Sequence, residues 1–158
     1  MVCLRTKTAL VDQPSRMGDL GASSLLCGRT TGVVIHGFRT VYDVLGPGLP
    51  EHAYQRALAY ELRDRGLAVV QEAAITIWYR GIRVGYFRAD LLVENQVIVE
   101  LKTASGFNAT DRDQLLGYLR ASSIEVGLLM LFGPRPLFRR HVFENNRKHR
   151  TLAPPPIK

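Results

Sequence analysis

The stretch RADLLVENQVIVELK (residues 88–102) decides the fold, because it holds two β-rich runs on either side of a polar corner. A hairpin that turns symmetrically about Asn95 puts Asp90 directly opposite Glu100. Opposite residues of an antiparallel pair share a face, with Cβ atoms about 5 Å apart. Lys102 lies two residues further along and returns to that face. Three apolar residues take the other face, toward the core: Val97, Val99 and Leu101.

The two carboxylates of this predicted hairpin favour a metal site. Like charges held this close repel, and they are costly unless a cation lies between them. Carboxylate oxygens are the ligands that Mg²⁺ and Mn²⁺ prefer, so Asp90 and Glu100 are candidate metal ligands. Lys102 is then in position to hold a water or to stabilise charge on a phosphate under attack. The alternative is a surface patch in which Lys102 only neutralises Glu100.

Two helices are predicted before the hairpin. Within residues 31–45, four apolar residues recur at helical spacing: Val34, Phe38, Val41 and Leu45. A Gly-Pro-Gly turn at 46–48 ends this first helix. Strong helix formers fill residues 51–63, Pro50 suits a first helical turn, and Gly66 is a natural end. This places Glu51 in the first turn of the second helix.

Five strands are predicted from runs of apolar, β-branched and aromatic residues: 74–79, 83–93, 97–102, 126–132 and 137–143. The first three form a meander. Thr110 is expected to cap a helix over residues 111–122, with Asp113 reaching back to the cap. The fourth strand is almost continuously apolar and is therefore expected at the centre of the sheet.

The predicted order is helix, helix, three strands, helix, strand, strand. An antiparallel meander followed by a helical crossover implies a mixed sheet with helices packed against it. We therefore predict a single-domain α/β sandwich over residues 31–143. A poorly ordered leader is expected at 1–30 and a basic, proline-rich tail at 144–158. The single Trp78 is expected in the core rather than on a base-binding surface.

Composition limits the class of protein. The 158 residues are 46% hydrophobic and 22% charged, which provides for one core and excludes a fully disordered chain. No run approaches the roughly 20 apolar residues of a membrane span, and no secretory signal is visible, so we expect a cytoplasmic protein without a membrane partner. Cys3 and Cys27 lack the spacing of a metal or redox site.

The net charge of +7 points to a polyanionic partner, but most of it lies at the ends of the chain. Residues 1–30 and 144–158 hold eight Lys and Arg against three Asp and Glu, whereas residues 31–143 hold thirteen against eleven. On charge alone, basic ends that contact phosphates and solvated ends that aid solubility fit this distribution equally well.

Three further polar residues are candidates for the same site. Glu51 lies in the first turn of its helix, where an acid more often only stabilises the helix dipole. Gln114 and Tyr118 are four residues apart and share a helix face. The alternative for them is a surface pair with a half-buried ring.

Three motifs together resemble the bacterial GxxExxY proteins of the PD-(D/E)XK nuclease superfamily. The motifs are Gly48-x-x-Glu51-x-x-Tyr54, the hairpin from Asp90 to Glu100-x-Lys102, and Gln114-x-x-x-Tyr118. The resemblance covers about residues 28–143. This chain departs from the pattern at Val41-Tyr42, where relatives often carry Val-His.

The resemblance implies a core of helix, three-stranded meander, helix and strand, with a Mg²⁺ or Mn²⁺ site. Asp90 and Glu100 are its implied ligands, and Glu51 is an additional ligand or a partner of a metal-bound water. We expect the backbone carbonyl of Leu101 to complete the shell. Such a shell of oxygen atoms is typical of hard divalent cations.

The leading functional hypothesis is a metal-dependent nuclease that hydrolyses phosphodiester bonds, with DNA as the favoured substrate, bound through its backbone phosphates. Lys102 is the implied catalytic lysine, and Gln114 and Tyr118 are implied to contact phosphate or water. One alternative is an inactive module of the same fold that binds nucleic acid or a protein. Another is a structural protein with a chance acidic cluster. A homodimer is a further expectation, since nucleases of this fold often pair to cut both strands.

Overall fold

The computed structural model describes residues 27–148. Its helices and strands are α1 (Gly28–Leu45), α2 (Glu51–Asp64), β1 (Val69–Tyr79), β2 (Ile82–Val93), β3 (Val97–Lys102), α3 (Ala109–Ala121), β4 (Val126–Phe132) and β5 (Pro136–Val142). A short 3₁₀ turn, Asn145–Arg147, follows. The predicted order of elements and the α/β class are confirmed.

The five strands form one mixed sheet in the order β1-β2-β3-β4-β5. β3 and β4 run parallel, and every other neighbouring pair is antiparallel. The helical crossover through α3 makes the parallel pairing of β3 and β4 possible, because parallel neighbours need a long connection. The β2–β3 turn is symmetrical, since Val93 pairs with Val97 and Leu91 with Val99. This is the register predicted from a turn about Asn95.

Each face of the sheet carries its own hydrophobic cluster. One cluster lies between the sheet and the α1–α2 pair and includes Phe38, Tyr54, Leu58, Leu101 and Phe132. The other lies beneath α3 and includes Ile75, Phe87, Ala89, Ile98, Leu115 and Leu129. β4 is buried along its whole length, because it lies between two strands and contributes to both clusters. None of the helices within residues 27–148 has the length and apolar composition that a membrane crossing requires.

The N-terminus of α3 corrects the predicted cap. The Asn108 side chain accepts a hydrogen bond from the backbone of Asp111, and the Asp111 carboxylate accepts one from the backbone of Asn108. This reciprocal pair is a capping box, and it begins two residues earlier than the predicted pair of Thr110 and Asp113. Asn and Thr both serve as N-caps, and each is followed three residues later by Asp. The sequence therefore allowed two positions for the helix start, of which the structure has the earlier one.

Three other expectations differ from the structure. α1 begins at Gly28, inside the predicted leader. Trp78 is half-buried and lies outside both hydrophobic clusters. Lys148, predicted to lie in an unpacked tail, is buried, and its Nζ donates to the carbonyl oxygens of Ser122 and Ile124. The packed domain therefore extends to residue 148. Most of the predicted leader, residues 1–26, and the rest of the tail, residues 149–158, lie outside the described residues.

Candidate active site

In β2, the alternation of side chains between the two faces of the sheet is interrupted at Asp90. Ala89 packs in the cluster beneath α3, whereas Leu91 packs in the cluster against α1 and α2. Alternate residues of a regular strand face the same side, so the backbone is distorted between these two residues. Across from Asp90, Glu72 has a left-handed backbone with φ 49°, a conformation that costs a non-glycine residue about 1–3 kcal/mol. The distortion therefore involves both strands.

The distortion directs the Asp90 carboxylate toward the edge of β3. The backbone pairing of β2 with β3 ends at Leu91 and Val99. Beyond that point, Oδ2 of Asp90 accepts a hydrogen bond of 2.7 Å from the backbone N–H of Leu101. The side chain thus continues the ladder in place of the backbone, and this fixes the carboxylate beside Glu100 and Lys102.

Helix α2 joins the site through Gln55. The Nε2 atom of this buried side chain donates a hydrogen bond of 2.9 Å to the backbone carbonyl of Asp90. Glu51 lies four residues earlier and so shares the helix face of Gln55. Sequence analysis overlooked Gln55, although its i, i+4 spacing to Glu51 was a usable signal.

The turn before α2 sets the position of Glu51. Gly46 and Gly48 have positive φ angles of 63° and 100°, a conformation that favours glycine. The Tyr54 hydroxyl donates to the carbonyl of Gly46 at 2.6 Å and accepts from the backbone N–H of Leu49 at 3.0 Å. The fully buried Tyr54 is therefore a core residue that also holds the turn.

Glu100 is the most deeply buried acid of the site. Its side chain is on the face of the sheet covered by α3, the residue is only 5% exposed, and Oε1 has no hydrogen-bond partner. The pKa of Glu100 is raised to about 8, mainly by burial and also by the negative charge of Asp90, while Lys102 opposes the shift. A buried carboxylate oxygen without a partner is costly, so this atom requires a proton or a cation.

The other two acids interact with Glu100 electrostatically. Burial raises the pKa of Glu51, with Asp90 adding to the effect and Lys102 opposing it. Burial also raises the pKa of Asp90, while the Leu101 hydrogen bond and Lys102 lower it. Glu51, Asp90 and Glu100, here called the acidic cluster, thus lie close enough to influence one another electrostatically, and Lys102 lies close enough to influence each of them.

The acidic cluster fits a divalent cation by the chemistry of its donors. Its oxygen atoms are hard ligands, and the unpaired Oε1 of Glu100 lacks the positive partner that such an ion provides. Within residues 27–148, no group of three or more acidic, His or Cys side chains is already close enough to enclose a metal ion.

Two other predicted site residues, Gln114 and Tyr118, form a hydrogen bond with each other. Nε2 of Gln114 donates to the Tyr118 hydroxyl, and the Tyr118 ring stacks on Phe87 at a centroid distance of 3.7 Å. Their hydrogen bonds in the described part of the chain do not reach the acidic cluster. Leu101 is buried and contributes its N–H to Asp90. The phosphate-contacting role of Gln114 and Tyr118 stays a prediction.

Sequence analysis also overlooked Glu72. Its carboxylate forms an exposed ion pair of 2.9 Å with Arg88, and its negative charge raises the pKa of Asp90. Glu72 also lines a polar cleft beside the site, together with His52, Gln55, Arg56 and Gln71. Nothing in the sequence distinguished this acid from others in alternating strands, because its proximity to Asp90 depends on strand pairing.

The fold and site together define an α/β domain in which one buried and two partly buried carboxylates lie near a lysine at a distorted strand edge. A family model of the PD-(D/E)XK nuclease superfamily matches residues 29–142. The chain belongs to this superfamily, as the resemblance predicted. The narrower resemblance to GxxExxY proteins stays a prediction.

Two solved structures are similar to this chain. The crystal structure of SSO0001 shares 19% identity with a TM-score of 0.47, over 77% of this chain and 62% of that one. An alkaline exonuclease (LHK-Exo) from Laribacter hongkongensis shares 13% identity with a TM-score of 0.36, over 70% of this chain and 77% of that one. This chain thus spans less than two thirds of the length of SSO0001. No curated protein sequence matches it significantly.

Proposed function

We propose that this protein is a metal-dependent nuclease that hydrolyses phosphodiester bonds, and that its substrate is DNA. The observation that carries the proposal is the buried, unpaired carboxylate oxygen of Glu100 beside Asp90 and Lys102. DNA has no 2′-hydroxyl to act as an internal nucleophile. Its cleavage therefore needs an activated water, which is the chemistry that a carboxylate-bound cation provides.

Asp90, Glu100 and Glu51 would hold Mg²⁺ or Mn²⁺, together with the carbonyl of Leu101. When bound, such an ion polarises a phosphoryl oxygen and lowers the pKa of a bound water. The chain itself contributes orientation, since the Leu101 N–H fixes Asp90 and the Gln55 amide fixes the backbone of Asp90.

Lys102 has two tasks in this proposal. Its ammonium group donates a hydrogen bond to the attacking water and so orients the oxygen toward phosphorus. It also stabilises the negative charge that builds on the phosphoryl oxygens as the new P–O bond forms and the bond to the leaving oxygen breaks. The products are a 5′ or 3′ phosphate and a free hydroxyl group.

The test combines nucleic acids, metals and variants. Supercoiled, linear and single-stranded DNA and an RNA are each incubated with protein plus Mg²⁺, Mn²⁺ or EDTA. We expect cleavage of DNA with either metal, none in EDTA, and none with Asp90→Ala. Asp64→Asn is the matched control, because it removes one exposed carboxylate at the opposite end of α2 from Glu51 and should cleave normally.

Two outcomes would contradict the proposal. Retarded migration of DNA without cleavage, under every metal condition, would assign the protein to the class of binding modules. Cleavage that survives Asp90→Ala would show that the acidic cluster is not the centre of the reaction.

A further inference from the structure

Residues 74–88 form a two-stranded hairpin, here called the hairpin arm. It consists of the second half of β1, the turn at 80–81 and the part of β2 that precedes Asp90. β3 pairs with β2 only at positions 91–93, so the arm strands pair with each other and with no third strand. One face of the arm is covered at its base, where Phe87 stacks on Tyr118. The other face carries Tyr86 and Arg88, which alternate with Phe87.

The hairpin arm exposes apolar and aromatic side chains to an unusual degree. Its four large exposed apolar residues are between 53% and 67% exposed: Tyr79, Ile82, Val84 and Tyr86. Exposed apolar residues grouped on a strand pair mark a binding surface more often than scattered ones do. A two-stranded hairpin is also only marginally stable through its own contacts. A bound ligand that covers its exposed side chains would therefore stabilise it.

The charge of the hairpin arm indicates the kind of ligand. Residues 73–89 include three arginines, Arg80, Arg83 and Arg88, and neither Asp nor Glu. Arg88 is paired with Glu72, but that ion pair is largely exposed and so contributes little to stability. A phosphate can therefore replace Glu72 as the partner of Arg88. A polyanion with flat apolar faces, which describes a nucleic acid, complements this surface in both charge and shape.

Tyr86 is placed to stack on a base. It pairs with the small residue Thr76 across the arm and is 61% exposed. Asp90 follows four residues later, roughly 13 Å along the strand at 3.3 Å per residue. A nucleic acid strand bound along Tyr86 and Arg88 therefore passes close to Asp90, and it reaches Glu100 on the α3 face across the gap where β2 and β3 no longer pair.

We propose that the hairpin arm binds an unpaired stretch of the nucleic acid, with a base on the Tyr86 ring and phosphates on the arginines. Base faces are buried within a duplex, so stacking of this kind requires a single strand or a single-stranded end. The inference rests on the proposed nuclease function. It narrows the substrate to nucleic acid that is unpaired next to the cleaved bond.

The test measures binding separately from cleavage. Fluorescence anisotropy is recorded in EDTA with a labelled 12-nucleotide thymidine oligomer and with a blunt duplex of equal length. We expect wild-type protein to prefer the single strand and Tyr86→Ala to weaken this binding at least fivefold, since each stacked base contributes about 1–3 kcal/mol. Tyr86→Phe keeps the ring and should bind within twofold of wild type.

The matched control is Tyr60→Ala, which removes a tyrosine that is 72% exposed on α2, away from the arm. It should leave binding unchanged. Circular dichroism melting checks that every variant folds. Equal binding of single strand and duplex, or wild-type affinity in Tyr86→Ala, overturns the proposal.

Cleavage of the same oligomers with Mg²⁺ separates this proposal from the proposed function. Cleavage by wild type together with normal binding by Tyr86→Ala rejects the hairpin arm and retains the nuclease. Single-strand binding that depends on Tyr86, with no cleavage by wild type, retains the arm and rejects the nuclease. A dimer in sedimentation velocity that Tyr86→Ala converts to a monomer, with DNA binding unchanged, assigns the surface to a second copy of the chain and overturns the proposal.

Discussion

Replacing Glu100 by Gln should stabilise the metal-free protein at neutral and alkaline pH. The pKa of Glu100 rises from an ordinary 4.5 to about 8, mainly because the side chain is buried. Each tenfold change in proton affinity corresponds to about 1.4 kcal/mol. Relative to a protein without this pKa shift, the free energy of unfolding is therefore lower by up to about 5 kcal/mol above pH 8 and by about 3 kcal/mol at pH 7. Gln has nearly the same shape and carries no charge, so it avoids this cost.

The pH dependence of this effect has a definite sign. Between pH 4.5 and 8 the folded protein holds a proton on Glu100 that the unfolded chain has lost. Stability therefore falls as the pH rises through this interval. The variant lacks this dependence, so its advantage over wild type should be near zero at pH 4.5 and largest above pH 8.

The assay is urea unfolding in EDTA at several pH values between 4.5 and 8.5, repeated with Mg²⁺. Mg²⁺ should stabilise wild type by binding the folded state, and it should leave Glu100→Gln almost unchanged. Asp64→Asn provides the control, with a change of about 0.5 kcal/mol or less, because its carboxylate is exposed. Loss of stability in Glu100→Gln at pH 8, or an equal response of both proteins to Mg²⁺, would refute the reasoning.

Four further substitutions test the positions around the site. Lys102→Ala should lower the rate of cleavage at least 100-fold while the protein still melts at a higher temperature with Mg²⁺, and cleavage at the wild-type rate would contradict its role. Tyr54→Phe removes two hydrogen bonds to partly buried backbone groups of the turn and should cost about 1–3 kcal/mol in urea unfolding, whereas a neutral result would show that the turn holds without the hydroxyl. Gln55→Leu should cost about 1–3 kcal/mol and also weaken Mg²⁺ binding in calorimetry, and unchanged binding would confine Gln55 to a structural role. Gly133→Ala would place a Cβ 2.4 Å from the carbonyl oxygen of Ala104, so it should lower the melting temperature by several degrees, and an unchanged melting temperature would show that this loop moves freely.

Local patterns were sufficient for most of the fold. The bounds of β3 and β4 follow from short apolar runs between polar corners, and the hairpin register follows from the symmetry of the turn at Asn95. Val34, Phe38 and Val41 are buried as their helical spacing predicts. Each of these features depends on residues close together in the sequence, where periodicity is most informative.

Features that depend on contacts between residues distant in the sequence could not be predicted from the sequence. The change of faces at Asp90 involves Glu72, eighteen positions earlier, and no alternation pattern reveals it. The burial of Lys148 depends on two carbonyl groups at the end of α3. For the site, the register of the β2–β3 hairpin could be predicted, but no local pattern indicated that Glu100 is the buried acid, since its burial depends on how α3 packs over the sheet.

The aromatic ring of Phe132 has a consequence for the order in which the domain is assembled. It lies at the last position of β4, and three rings from the N-terminal helices surround it: Phe38, Tyr42 and Tyr54. Tyr54 also holds the turn that precedes Glu51, and its ring stacks on Phe132, so the packing of this turn is complete only once β4 lies beside β3. The position of Glu51 therefore depends on a contact between the second helix and the fourth strand, and the acidic cluster is complete only in the assembled domain.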